Sequence, residues 1–88
     1  MNITKNAVEE LKPFSNEATS LKIGSTYQHY KGQKYKVLSI GRHSETCEEM
    51  VIYESLYGEH DVWVRPLSLF VGSVEIDGKA HARFKAMF

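Results

Sequence analysis

One cysteine, Cys47, is all the thiol chemistry this sequence has. No intramolecular disulfide can form, so packing must hold the fold, and a reducing, cytoplasmic location is the expectation. A thiol nucleophile is disfavoured, because the neighbours Glu48 and Glu49 offer no positive charge to stabilise a thiolate. Charge of one sign is not in excess either: 11 Lys and Arg stand against 11 Asp and Glu. That balance removes general polyanion binding as the default. Long apolar runs are missing. The longest stretch without a charged side chain lies between Arg65 and Glu75 and is broken by Ser and Gly, too short to cross a bilayer. The first residues carry no apolar core of a secretory signal, so none is expected. His29, His43, His60 and His81 lack metal-binding spacing, and a lone Cys makes no CxxC pair. Neither a metal nor a cofactor is therefore expected. Nucleophile-elbow and phosphate-cradling glycine motifs are absent too.

What remains is an ordinary globular composition, 42% hydrophobic and 25% charged, in 88 residues that suffice for one core. Residues 1–20 read as an arm. Ile3, Ala7, Val8, Leu11 and Phe14 recur at helical spacing, Pro13 stops that helix, and Ser15 to Ser20 reads as a polar linker. The arm either docks on the domain or serves a partner. Residues 21–88 read as β. Strands are expected over 26–30, 35–41, 49–56 and 62–65, with Gly41 marking a bulge. Pro66 closes the fourth strand, and 67–71 forms a helical turn. Asp77-Gly78 then joins a hairpin of 74–76 and 80–84. The expected fold is mainly β: a small SH3-like β-barrel of about five to six short strands with an N-terminal helix. Closure would remove exposed edges.

The charges are segregated. From Leu21 to Ser44 they are Lys22, Lys31, Lys34, Lys36 and Arg42; from Glu45 to Val64 they are Glu45, Glu48, Glu49, Glu54, Glu59 and Asp61. Either two paired strands cancel each other, or the surface carries a basic patch. Along Val62-Trp63-Val64-Arg65 the two-residue period separates the valines from Trp63 and Arg65. With the valines inward, Trp63 and Arg65 face out, suited to stacking on a flat ligand. The opposing reading buries Trp63 under the arm and pairs Arg65 with a carboxylate. Tyr30, Tyr53 and Tyr57 could frame a groove with Trp63. The run Arg42-His43-Ser44-Glu45-Thr46 gathers a fixed cation, an imidazole, hydroxyls and a carboxylate. It suits anion binding or acid–base chemistry, or else a loop whose polar side chains satisfy backbone amides.

The runs His29-Tyr30-Lys31-Gly32, Tyr35-Lys36-Val37-Leu38, Arg42-His43-Ser44-Glu45-Thr46, Val51-Ile52-Tyr53, Leu56-Tyr57-Gly58 and Trp63-Val64-Arg65-Pro66-Leu67, with Phe70, come in that order. The set resembles a bacterial domain-of-unknown-function family, number 1653, over roughly residues 24–85. The resemblance implies a small, mostly β domain and brings no established activity or substrate. It expects an aliphatic residue where Cys47 stands, and it leaves the first 20 residues outside. His29, Tyr30, Arg42, His43, Glu45, Tyr57, Trp63 and Arg65 form the candidate ligand-binding set. The expected function is a binding module for a small anionic, peptide or nucleotide-like ligand. One alternative is an enzyme using His43 and Glu45 as acid and base. Another is nucleic-acid binding through the basic strands Lys22 to Arg42, which the acidic run disfavours. No membrane partner is expected, and the oligomeric state is open.

Overall fold

The structure is a computed structural model and describes residues 12–88. The helix expected over Ile3 to Leu11 lies outside the described residues. Among the described residues seven strands form: β1 Thr26–His29, β2 Lys34–Arg42, β3 Glu49–Ser55, β4 Val62–Pro66, β5 Ser73–Ile76, β6 Lys79–Ala82 and β7 Phe84–Ala86. Two one-turn helices join them, α1 Asn16–Thr19 and α2 Leu67–Phe70. The main sheet is antiparallel, with strand order β4-β3-β2-β1-β7, and β5 pairs only with β6. The expected closed barrel is not formed: among the described residues β4 and β7 are free edges.

Alternation places one face of this sheet against the helices. Tyr27, Val37, Val51 and Tyr53 from the sheet meet Leu67 and Phe70 of α2, Phe84 of β7 and Ala18 of α1 in the core. Phe84 and Phe70 stack with parallel rings 4.1 Å apart. The two buried tyrosines remain affordable because their hydroxyls are occupied. Lys22 donates its backbone N–H to the Tyr27 hydroxyl at 3.1 Å, and Arg65 Nε donates to that of Tyr53 at 3.0 Å.

Two local expectations are corrected. Residues 15–20 are no plain linker. Ser15 caps α1 by accepting from the Ala18 N–H at 3.1 Å, and it clamps Glu49 with its own N–H and hydroxyl at 2.6 and 2.7 Å. The bulge falls at Leu38 rather than Gly41. Val37 opposes Tyr53 while Ser39 opposes Ile52, leaving one extra residue on β2. The segregated charges meet as β2 against β3: Lys36 opposes Glu54 and Arg42 opposes Glu49. No Lys or Arg forms a contact ion pair among the described residues; the one pair within 4 Å is His60 with Glu54.

Candidate ligand-binding site

The eight candidate residues fall into two groups. Tyr35 and Arg42 lie seven residues apart on β2, so roughly 20 Å separates them. At the Arg42 end, the guanidinium lies over the Phe14 ring, 4.1 Å from its centroid, and Nη2 donates to the Lys12 carbonyl at 2.6 Å. Arg42 therefore anchors the segment entering α1. His43 begins the following loop. Its Nδ1 accepts the backbone N–H groups of Glu45 and Thr46 at 3.1 and 3.3 Å, and Thr46 Oγ1 accepts that of Glu48 at 3.2 Å. Capping donors hold His43 as an acceptor here, and its link to Glu45 runs through the amide. No hydrogen bond joins the His43 imidazole to the Glu45 carboxylate among the described residues, and both residues are exposed.

The other group gathers on the core side of the opposite end. Here, of the two readings left open for β4, the one with the valines inward does not hold. Trp63 opposes Tyr53, and Arg65 opposes Val51. Both partners are core residues, so Trp63 and Arg65 point to the core side, while Val62 and Val64 are 58% and 60% exposed. The reason is chemical: Trp and Arg each carry apolar surface and a polar tip, and this face offers partners for both tips. Trp63 Nε1 donates to Ser55 Oγ at 2.7 Å, which satisfies the buried Ser55. Arg65 donates to Tyr53 and lies over the Phe84 ring at 5.5 Å.

His29 faces this cluster from β1, opposite Phe84 of β7. Its ring meets Phe84 edge-on at 5.0 Å and Tyr30 at 4.5 Å. The Lys31 N–H donates to His29 Nδ1 at 3.2 Å. Burial, then the charges of Arg65, Arg83 and Lys31, push its pKa below the ordinary value of 6.5. With Nδ1 accepting from Lys31, Nε2 is the donor of the neutral ring. Tyr35 and Tyr57 share a hydroxyl–hydroxyl hydrogen bond of 2.7 Å. Burial and that bond push Tyr35 up to about 12. The cluster therefore presents donors throughout the neutral range.

A groove of about 300 Å³ opens beside it, lined by His29, Tyr30, Gln28, Gly32, His81, Ala82 and Lys85. The charge of Arg83 acts on His29, and among the described residues its Nε is buried without a hydrogen-bond partner. Neither Arg65 nor Arg83 has a carboxylate within 4 Å among the described residues. Sequence reasoning placed His29, Tyr30, Tyr57, Trp63 and Arg65 in the set and missed Tyr35, His81, Arg83 and Lys85. Tyr35 carried a usable signal, being two residues from Val37 on a strand. Arg83 carried none, because it sits at a break between β6 and β7 that reads as one continuous strand.

A family model described as a protein of unknown function (DUF1653) matches residues 25–86. A crystal structure of a protein belonging to DUF1653 from Bordetella bronchiseptica is similar, with 30% identity and a TM-score of 0.67. The likeness covers 77% of this chain and 88% of that one. No curated protein matches the chain. With the family model spanning most of its length and a solved member sharing its fold, the chain belongs to the DUF1653 family.

Proposed function

We propose that the domain is a binding module that takes the anionic group of a small ligand at the His29–Arg65–Arg83 cluster. One observation carries this reading. Among the described residues the charges of Arg65 and Arg83 both act on His29, no carboxylate lies within 4 Å of either guanidinium, and one buried donor, Arg83 Nε, has no partner. A buried unpaired donor costs about 1–3 kcal/mol, and more when it is charged. A phosphate or carboxylate oxygen seated there would satisfy it with charge-assisted hydrogen bonds. The His29 Nε2–H would add a donor, and the aromatic wall at Tyr30 would suit a flat group next to the anion. His43 and Glu45 take no part, since the former caps its own loop.

The test is an NMR titration of the whole chain with inorganic phosphate. Shifts should localise to His29, Tyr30, Arg65 and Arg83, and the His29 titration midpoint should move up as the anion offsets the flanking cations. Arg65→Lys keeps charge but loses the planar fork, and should weaken phosphate about tenfold. Shifts confined to Arg42 and His43, or a His29 midpoint indifferent to phosphate, would sink the proposal.

A further inference from the structure

The β5–β6 ribbon supplies one wall of the groove beside His29. Gln28, Tyr30 and Lys85 line that groove from the main sheet and the turn after β1, while His81 and Ala82 line it from β6. Among the described residues no carboxylate lines it. On the ribbon side, strand pairing explains this. His81 opposes Val74, and Ala80 opposes Glu75. Opposed residues share a face and successive ones alternate, so His81 and Glu75 lie on opposite faces of the ribbon. Lys79 shares the face of His81, and Asp77 lies in the turn at the far end.

Among the described residues the ribbon is fastened at its base. Its two strands pair with each other and with no third strand, and only Val74 is even half-buried. Arg83, just after β6, makes the join. Its N–H donates to the Gly72 carbonyl at 3.0 Å, and its own carbonyl accepts the Tyr30 N–H at 2.9 Å. A two-stranded ribbon without a covered face is marginal. Its seat on the main sheet therefore responds to whatever fills the groove between them.

We infer that His81 and Lys85 are further ligand-holding residues, and that an aromatic phosphomonoester seated in the groove draws the ribbon onto the sheet; this rests on the anion site proposed above. His29 lines the groove and also feels the charges of Arg65 and Arg83, so a ligand anchored at those cations extends into the groove. A phosphoryl group presents three acceptor oxygens, enough for donors on both walls. A carboxylate presents only two. The groove, at about 300 Å³, holds more than a phosphoryl group, and Tyr30, 38% exposed, gives a flat substituent a wall. The ligand gains the His81 contact only while the ribbon lies on the sheet. That difference in contact is what shifts the ribbon's equilibrium.

Phenyl phosphate added to the whole chain tests this, with histidine ring shifts and amide exchange read together. His29 and His81 should shift with one shared midpoint. Exchange from Val74 to Ala82 should slow about tenfold at saturation, an ordinary size for coupling between two elements. His81 is exposed, so His81→Ala should keep the wild-type circular dichroism spectrum. The same variant should bind phenyl phosphate about tenfold more weakly and lose the slowing, because coupling is reciprocal. Benzoate should slow the ribbon far less, and equal slowing by benzoate overturns the phosphoryl assignment. If phenyl phosphate shifts His29 while ribbon exchange and the affinity of His81→Ala stay unchanged, the inference is overturned and the anion site stands. If His29 does not shift at all, both fall.

Discussion

Glu49 shows how much one side chain can organise here. It stands on β3 opposite Arg42, and its two carboxylate oxygens take the N–H and hydroxyl of Ser15. Those two hydrogen bonds, with the backbone one dominant and Arg42 adding to them, hold its pKa below the ordinary 4.5. A carboxylate depressed in the folded state contributes stability above its unfolded value, and that contribution is lost as pH falls through the folded value. Urea midpoints measured downward from pH 7 should therefore fall more steeply below 4.5 for the wild type than for Glu49→Gln. The variant should start lower at pH 7, since an NH2 group replaces one of the two oxygens that now accept from Ser15 and the charge is lost. Equal profiles would mean that Ser15 is held by something else. This clamp could not be read from the sequence, because the partners are 34 residues apart. The cap at Ser15 was missed as well, because the polarity of residues 15–20 reads as a linker.

At the scale of elements, period-two patterning located the strands well, and it failed where faces had to be assigned. The rule that valines go inward holds for Val37 and Val51 and reverses on β4. There, Tyr53 and Ser55 offer hydroxyls that only Arg65 and Trp63 can use. Hydrophobicity ranks side chains singly and does not register such partnerships. Turn chemistry was more dependable. Asp77 and Gly78 both have positive φ, 52° and 80°, as the expected two-residue hairpin requires. The Gly72 junction behind α2 was not foreseen. A Cβ there would sit 2.8 Å from the Ser68 carbonyl oxygen, a backbone atom, whereas one at Gly78 meets nothing within 4 Å. Gly78→Ala should thus cost about 1 kcal/mol in backbone strain alone. Gly72→Ala should cost more, and it should also disturb Arg83, whose N–H donates to the Gly72 carbonyl at 3.0 Å. Thermal melts together with the Arg83 amide shift distinguish the two. A smaller loss at Gly72 would refute the close approach.

As a whole, the molecule is unevenly held. The core is one face of one sheet with a single turn of helix at its centre, and β5 with β6 stands apart from it. In that hairpin only Val74 is even half-buried. A two-stranded ribbon without a covered face is marginal by itself. Native-state hydrogen exchange should show Ser73 to Ala82 opening well below the free energy of global unfolding, with β2 and β3 protected to the global limit. Protection in the hairpin equal to that in β3 would contradict this picture. The missing closure explains the unevenness. The sequence counts enough strands for a barrel, but the chain spends two of them on this separate ribbon, so the main sheet keeps two edges. The sequence reading came one strand short, six ranges against seven among the described residues, because β6 and β7 read as one; strand partnership was not legible at all.

The bulge at Leu38 sets more than a register. Because β2 carries one residue too many, Val37 and Ile40 both reach the core side from three positions apart. Removing Leu38 would leave every remaining side chain of β2 on its present face, yet it would take away the added right-handed coil that a bulge imparts. The strand joins two stations: Tyr35 beside Tyr57 and His29, and Arg42 on the segment leading to α1. Leu38 therefore works as the angular setting between them. A chain shortened by that one residue would keep its alternation and lose the relative orientation of its two ends.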